Sequence, residues 1–484
     1  MAEPRRRAAG VEYDDSVGEE YFDKRKLQSG SVGWVLLAGL GVAYVISGDF
    51  AGWNFGLDVG GFGGLLIATV LMAVMYTCMV LGLAEMASAI PVAGAGYGFA
   101  RRALGPLGGF ATGTAILIEY AIAPAAIVVF IGGYVESLGL FGLTTGWPVY
   151  LACYVIFVGV HLYGVGEALK LMFAITAVAV VALVLFVVAM IPKFSTSNLT
   201  DIAVDTSAAG SSSFLPFGIA GVMAAFVYGI WFFLAVEGVP LAAEEARNPK
   251  KDMPRGIIAA MLTLLVFAAL ILMVAPGGAG AEAIRASDNP LPEALKVAYG
   301  GETWMSDFVN YVGLAGLIAS FFSIIYGYSR QLFALSRAGY LPRFLALTGK
   351  RHTPWVALLV PATIGFLLAA LTEDGALLIN IAVFGATVSY VLMMLSHILL
   401  RRREPDLERP YRTPGGVVTT GIALVLATLA VVATFFVDER AAGITAVVFL
   451  AFLAYFFFYS RHRVVGRAPE EEFDAITSAE SDLR

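Results

Sequence analysis

The chain has 484 residues, of which 59% are hydrophobic and 14% are charged, and its formal net charge is −6. Its mean hydropathy is +0.80. Soluble domains carry about 25% charged residues, so this composition excludes an ordinary soluble protein and predicts a helical membrane protein. The modest net charge gives no indication of a nucleic-acid partner.

Twelve apolar stretches predict helices that cross the ~30 Å hydrocarbon layer of a bilayer. They lie near residues 32–56, 62–89, 108–137, 147–163, 168–191, 214–238, 255–275, 306–334, 355–371, 375–400, 416–437 and 441–460. We therefore predict an all-α membrane domain over residues 31–460. An N-terminal tail (1–30) and a C-terminal tail (461–484) flank it.

The basic residues predict how the chain is oriented. Alternate loops divide the 31 Lys and Arg residues unequally, with 27 on the side of the two termini and 4 on the other. Because cytoplasmic loops carry an excess of Lys and Arg, both termini are expected in the cytoplasm. This distribution predicts a multi-pass protein of the cell membrane with an even number of spans.

Residue types that usually signal catalysis or metal binding are sparse. Cys78 and Cys153 both fall in apolar spans, where cysteine behaves as a small hydrophobe. The four histidines show no metal-ligand spacing, and no phosphate-binding glycine loop or nucleophile motif is present. The sequence predicts neither an enzyme nor a bound cofactor.

Two of the apolar spans carry a carboxylate beside helix-weakening residues. Asp49 lies within Val42–Trp53 between two glycines, and Glu237 lies within Trp231–Leu241 before a glycine and a proline. A charge at mid-membrane costs at least ~2.5–3.5 kcal/mol, so such residues usually face a cavity and serve function. Paired helix breaks of this kind point to the central site of a transporter.

The separation of the two carboxylates predicts an internal repeat. Asp49 and Glu237 are 188 residues apart, which matches five helices with their loops. This spacing predicts an inverted repeat of five plus five helices, over about 31–191 and about 214–400. Two extra helices would follow, at about 416–460.

Four stretches on predicted cytoplasmic loops resemble the amino acid–polyamine–organocation transporters. They are Ala84–Phe110, Ala242–Gly256, Ser329–Pro342 and Arg409–Gly415. The run Gly33–Leu57 is most similar to the ethanolamine permease branch. The resemblance implies the leucine-transporter fold, with helices 1 and 6 unwound around the solute. Within the second stretch, Pro249 and Pro254 predict a fixed turn rather than a helix.

Asp49 carries the prediction about the solute. The resemblance implies that backbone N–H groups at the helix 1 break hold a solute carboxylate, and here that stretch reads Ser47-Gly48-Asp49. An ionised Asp49 would repel a carboxylate and attract an ammonium, which favours a small amine without a carboxylate. The alternative is that Asp49 only caps the following half-helix. Glu237 matches an acidic position that is common in the family.

Other candidate contacts surround the two breaks. Glu119 lies in helix 3 and is either a third cavity carboxylate or a structural ion-pair partner. Glu85, at the end of helix 2, is expected to support the folding of the signature loop. Aromatic rings attract an ammonium by ~0.5–2 kcal/mol. The aromatic candidates for solute contact are Trp53, Tyr120, Trp231 and Phe232.

The coupling ion stays open between a proton and sodium. Some family members carry a lysine in helix 5, and the matching position here is about Ala179, so a lysine relay is not expected. Ser320 and Ser323 in helix 8 are candidates for a sodium site with helix 1 carbonyls, although serines in membrane helices also serve packing. Alternatively, Asp49 or Glu237 carries a proton.

Taken together, these features predict a twelve-helix secondary transporter that imports a small organic cation, with ethanolamine as the first candidate. The alternative solute is an amino acid or a polyamine, with exchange as a possible mode. An ion channel is the weaker alternative, because two lone carboxylates do not form a charged ring. The partners expected are the amine, a coupling proton or sodium and the bilayer, and the sequence leaves the oligomeric state open.

Overall fold

The computed structural model describes residues 6–8, 10–14, 17, 19–24, 32–91, 94–163, 166–349, 353–466 and 468. The described helices are α1 (Glu19–Asp23), α2 (Trp34–Val45), α3 (Ser47–Phe50), α4 (Phe55–Ala89), α5 (Gly96–Ser137), α6 (Trp147–Tyr163), α7 (Gly166–Met190), α8 (Gly218–Trp231), α9 (Pro249–Ala279), α10 (Ala281–Ile284), α11 (Pro290–Tyr299), α12 (Trp304–Arg337), α13 (Trp355–Thr372), α14 (Gly375–Arg403), α15 (Val417–Val437) and α16 (Glu439–Phe458). The strands are β1 (Arg6–Ala8), β2 (Val11–Asp14) and β3 (Val464–Val465).

Short 3₁₀ turns connect several of these helices. They are Leu140–Gly142, Ile191–Lys193, Thr196–Thr200, Val236–Glu245, Arg343–Ala346 and Ser460–His462. Among the described residues, ten helices are long and apolar enough to cross a membrane, and α2 and α6 are shorter apolar helices. The all-helical membrane architecture is therefore confirmed, with small terminal strands that the sequence did not predict.

The first predicted span, 32–56, is divided in the structure. Helix α2 has 12 residues, and at 1.5 Å per residue it covers only about 18 Å. The short α3 follows it, and the next long helix begins at Phe55 rather than near residue 62. The first span is thus divided close to Asp49, in the stretch that contains Gly48 and Gly52.

Close helix pairs are built on small residues. Helix α5 packs on α12 and α14, α4 packs on α8, α2 packs on α9, and α7 packs on α12. A β-carbon at Gly385 of α14 would lie 2.8 Å from the Ala115 carbonyl oxygen of α5. Glycine at such a contact lets two backbones approach, which is how membrane helices gain van der Waals attraction.

The prediction of a turn at Pro249 and Pro254 is wrong, because α9 begins at Pro249 and contains Pro254. A proline at the first helical position loses no hydrogen bond, since that N–H has no partner within the helix. The carbonyl oxygen of Asn248 accepts from the N–H groups of Lys251 (3.0 Å) and Asp252 (2.7 Å), so the first turn forms around the proline.

The described part of the N-terminal tail is folded against the C-terminal segment. Strand β2 pairs antiparallel with β1 and parallel with β3, in the order β1-β2-β3. The described core is continuous through the helices, and a separate hydrophobic cluster joins β2 and β3 to the ends of the helices near them. Residues 469–484 of the predicted C-terminal tail lie outside the described residues.

Candidate functional site

The backbone of the first span opens just after Asp49. Residues Ser47–Phe50 form a helical turn, Ala51 is extended (φ −158°, ψ 159°), and Gly52 has φ +93°. The opening was expected at Ser47-Gly48-Asp49, and it lies after Phe50 instead. The left-handed φ at Gly52 is one that a residue with a β-carbon adopts only at a cost in energy.

The sixth predicted span is interrupted just before Glu237. Helix α8 ends at Trp231, a turn covers residues 232–235, and a 3₁₀ segment then runs over Val236–Glu245. Ala235 has φ +77°, a left-handed conformation that costs a non-glycine residue about 1–2 kcal/mol. The break therefore precedes the glycine and proline that predicted it, and strain is concentrated at Ala235.

The two interruptions touch each other directly. A β-carbon at Gly48 would lie 2.3 Å from the carbonyl oxygen of Trp231, so only glycine fits there. The Trp231 indole N–H donates to the carbonyl oxygen of Ala51 (3.0 Å). In return, Trp53 stacks on Phe232 with ring centroids 5.5 Å apart. Each break thus contributes one indole ring, and that ring contacts the other break.

Asp49 is buried between these contacts. Its side chain is 1% exposed, and its Oδ1 atom has no hydrogen-bond partner in the described part of the chain. A buried charge without a partner is strongly unfavourable. A cation beside the Asp49 carboxylate would offset this cost.

A second group of acidic and phenolic side chains lies on the other side of the sixth-span break. The Tyr120 hydroxyl donates to Glu237 Oε1 (3.3 Å), while Glu237 Oε2 and both carboxyl oxygens of Glu119 make no hydrogen bond of ordinary geometry to any described residue. The two carboxyls lie close enough to interact electrostatically, and Tyr390 lies beside both. Glu119 is thus beside Glu237 rather than in a described ion pair.

Sequence reasoning missed two tyrosines of this group. The hydroxyls of Tyr76 on α4 and Tyr390 on α14 are 2.9 Å apart. Both residues are fully buried. The signal available in the sequence was a polar side chain within an apolar span, but the same signal marks many other tyrosines in this chain.

Ser320 joins α12 to the first-span break. Its hydroxyl donates to the carbonyl oxygen of Tyr44 (2.7 Å) and lies 2.8 Å from the Ser47 hydroxyl. These three oxygens are the kind of ligand that a hard cation prefers. Ser323 differs, because its hydroxyl donates to Ala319 of its own helix (2.7 Å).

All nine residues predicted to contact the solute are buried, and the structure divides them between two neighbouring groups. One group follows the contact between the breaks, and it consists of Ser47, Gly48, Asp49, Trp53, Trp231 and Phe232. The other group consists of Glu119, Tyr120 and Glu237. Within the described residues no group of three or more His, Cys, Asp and Glu side chains is arranged to hold a metal ion.

Glu85 has a structural role at one end of the bundle. It accepts hydrogen bonds from the Arg401 guanidinium (2.9 and 2.5 Å) and from the Thr413 backbone N–H (2.7 Å). Arg409 forms an ion pair with it at 3.0 Å. The first and last of the four signature stretches are therefore joined through one buried carboxylate.

Comparison with known proteins agrees with this architecture. The family model described as "Amino acid permease" matches residues 31–460. An uncharacterized transporter of Rhizobium meliloti (strain 1021) is 30% identical over 405 residues, covering 82% of this chain and 84% of its own. The branched-chain amino acid permease BcaP of Bacillus subtilis is 28% identical, covering 82% and 86%. The methylthioribose transporter of the same organism is 26% identical, covering 81% and 84%.

Proposed function

Because the chain belongs to the amino acid permease family, within the amino acid–polyamine–organocation superfamily, we propose that it carries an amino acid or a closely related amine across the cell membrane by alternating access. Its relatives are named as transporters rather than enzymes. The solute would bind where the two helix breaks meet, in contact with the residues of the two buried groups.

The observation that carries this proposal is the presence of three buried carboxyl groups in the site. Asp49, Glu119 and Glu237 are each at most 4% exposed. Each has at least one carboxyl oxygen without a hydrogen bond among the described residues. An ammonium group would supply both the missing positive charge and the missing donors. The ammonium is thus the part of the solute that the site would recognise most strongly.

The names of the relatives make amino acids the first candidate solutes. One relative is named for branched-chain amino acids and another, AroP of Escherichia coli, for aromatic amino acids. Ethanolamine is the second candidate, and Asp49 favours it. An amino acid would bring its carboxylate close to Asp49, where two negative charges repel unless a proton or a cation separates them. Ethanolamine has no carboxylate and avoids that repulsion.

We propose that the fold is an inverted repeat of five plus five spans with two extra helices. In this scheme α2 and α8 correspond, as do α4 and α9, α5 and α12, α6 and α13, and α7 and α14. The scheme is supported by paired contacts, because α2 packs on α9 as α4 packs on α8, and α5 packs on α14 as α12 packs on α7. The excess of Lys and Arg on one side supports cytoplasmic termini.

We propose two alternative sites for the ion that drives transport, one for sodium and one for a proton, and experiment can distinguish between them. Sodium would bind where Ser320 meets the Tyr44 carbonyl oxygen and Ser47, since these contacts are short and supplied by oxygen atoms. A proton would instead reside on Glu237, which faces Glu119 and accepts from Tyr120. The position that carries a lysine in some family members is Ala179 here, which favours the sodium site or the proton site over a lysine relay.

The solute class is tested by thermal stability of the purified protein. The panel is leucine, alanine, arginine, glutamate, putrescine, choline and ethanolamine, with 4-methylpentanoate as leucine without its amino group. A ligand at 100 times its Kd stabilises the folded state by about 2.7 kcal/mol. Leucine or ethanolamine should raise the Tm, and 4-methylpentanoate should not. Equal shifts with leucine and 4-methylpentanoate would exclude ammonium recognition.

A further inference from the structure

A separate hydrophobic cluster lies at the end of the bundle where α5 begins and α12 ends, which we call the terminal face. It contains Tyr97 and Phe110 of α5, Tyr340 after α12, and residues from both ends of the chain. The N-terminal members are Val11, Tyr13 and Val17, and the C-terminal members are Val464, Val465 and Ala468. Described residues near both ends of the chain are therefore packed on helix ends.

The C-terminal segment is bound to the turn that follows α12. The backbone N–H of Val465 donates to the Ala338 carbonyl oxygen (2.8 Å), and the Ser460 hydroxyl donates to that of Tyr340 (2.7 Å). A β-carbon at Gly339, which has φ +86°, would lie 2.3 Å from the Arg463 carbonyl oxygen. These contacts hold the C-terminal segment closely against the turn that follows α12.

We define the strap as the described N-terminal residues Val11–Asp14 and Tyr21–Lys24. Its first four residues lie on this C-terminal segment. Strand β2 pairs with β3 so that Tyr13 lies opposite Val464 and Asp14 lies opposite Val465. Val11 is 1% exposed and Tyr13 is 5% exposed, so the apolar face of the strand is buried. Burial of these apolar side chains stabilises the bound strap, and this stabilisation is lost when the strap is released.

Polar contacts fasten the strap to both α5 and α12. The Arg101 guanidinium of α5 donates to the Tyr13 hydroxyl (2.6 Å), and Arg343 pairs with Asp14 (2.9 Å). The Tyr21 hydroxyl donates to the carbonyl oxygen of Arg337, the last residue of α12 (2.7 Å). Contacts from the two described pieces of the strap thereby reach both the start of α5 and the end of α12.

The same two helices carry residues of the candidate site. Helix α5 carries Glu119 and Tyr120, and α12 carries Ser320. A carrier has to open on each face in turn, so a link between the ends of these helices resists opening on the terminal face. We propose that the strap is an autoinhibitory clamp, which holds the terminal face closed while bound and slows transport until it is released.

Cysteine accessibility tests the clamp without reference to any solute. In a background with Cys78→Ala and Cys153→Ala, Ser329→Cys places a buried reporter on α12. Asp14→Asn removes the charge that pairs with Arg343, and Tyr13→Phe removes the hydroxyl that accepts from Arg101. We expect N-ethylmaleimide to label the reporter roughly threefold to tenfold faster in each variant. Glu20→Gln is the matched control, because its ion pair with Lys24 is exposed and reaches neither helix. Equal labelling rates in all variants would refute the clamp.

A reversible cross-link tests the effect on transport. Paired residues of neighbouring strands have Cα atoms about 4.8 Å apart, which a disulfide can bridge, so Asp14→Cys with Val465→Cys should lock the strap on oxidation. We expect the oxidised protein to take up labelled leucine or ethanolamine at least about tenfold more slowly, with recovery after reduction. Unchanged uptake on locking would overturn the proposal. If the reduced protein carries neither solute, the proposed function fails, and the labelling experiment still decides on the clamp.

Discussion

The backbone carbonyl of Trp231 and the α-carbon of Gly48 approach so closely that a methyl group on residue 48 would lie 2.3 Å from the carbonyl oxygen. The two helix breaks are thus held together by backbone contact as well as by the Trp231 indole, which donates to Ala51. This contact brings Asp49 and the start of the sixth-span break into one site.

Gly48→Ala should abolish solute uptake while the chain still inserts in the membrane. The added methyl group has to push the two breaks apart, and overpacking of this kind costs about 1–3 kcal/mol. Uptake into proteoliposomes is the measurement, with Gly421→Ala as the control because no described atom of another element lies within 4 Å of its added β-carbon. Normal uptake by Gly48→Ala would mean that the contact is not maintained during transport.

Asp49→Asn should weaken uptake of an ammonium-bearing solute about tenfold to a hundredfold. The loss corresponds to one charge-assisted hydrogen bond of ~1.5–3 kcal/mol. Initial rates over a range of leucine and ethanolamine concentrations measure it. Asp58→Asn is the matched control, since Asp58 is half-exposed and pairs with Arg285. If uptake by Asp49→Asn keeps its normal concentration dependence, the Asp49 carboxyl does not bind the solute.

The sequence was sufficient to place the buried carboxylates and most of the helices. Hydropathy alone located the long helices, because a helix that crosses lipid has to be apolar along its length, although α4 and α5 begin at Phe55 and Gly96 rather than near residues 62 and 108. The exact positions of the breaks were not predictable, since they depend on contacts between distant residues such as Gly48 with Trp231 and Tyr44 with Ser320. The pairing of β2 with β3 was also missed, because two to four residues carry too weak a pattern to predict a strand.

If Glu237 carries the coupling proton, Glu237→Gln should lose accumulation driven by a pH gradient and keep exchange of labelled for unlabelled solute. Gln has the shape of protonated Glu but cannot release a proton. Exchange needs only the loaded carrier to change sides, whereas accumulation needs the empty carrier to return. Glu439→Gln, at an exposed position, should behave as the native protein. Accumulation that depends on sodium and ignores the pH gradient would exclude the proton role.

Ser320→Ala and Ser323→Ala form a matched pair for the sodium hypothesis. Ser320 contacts the Tyr44 carbonyl oxygen and Ser47, while the Ser323 hydroxyl donates to Ala319 within α12. We therefore expect Ser320→Ala to raise the sodium concentration for half-maximal uptake about tenfold, and Ser323→Ala to change it little. The concentration dependence of uptake on sodium is the readout. Equal effects of the two substitutions would count against a cation at Ser320.

Counterflow in proteoliposomes tests most directly whether the chain is a carrier for amines. Vesicles loaded with unlabelled leucine or ethanolamine are diluted into a trace of the same labelled solute. A carrier should accumulate label transiently above equilibrium, because the excess unlabelled solute inside competes with the label for exit, and Asp49→Asn should lose this accumulation. Label that merely equilibrates, at the same rate in loaded and empty vesicles, would contradict the account and indicate a channel.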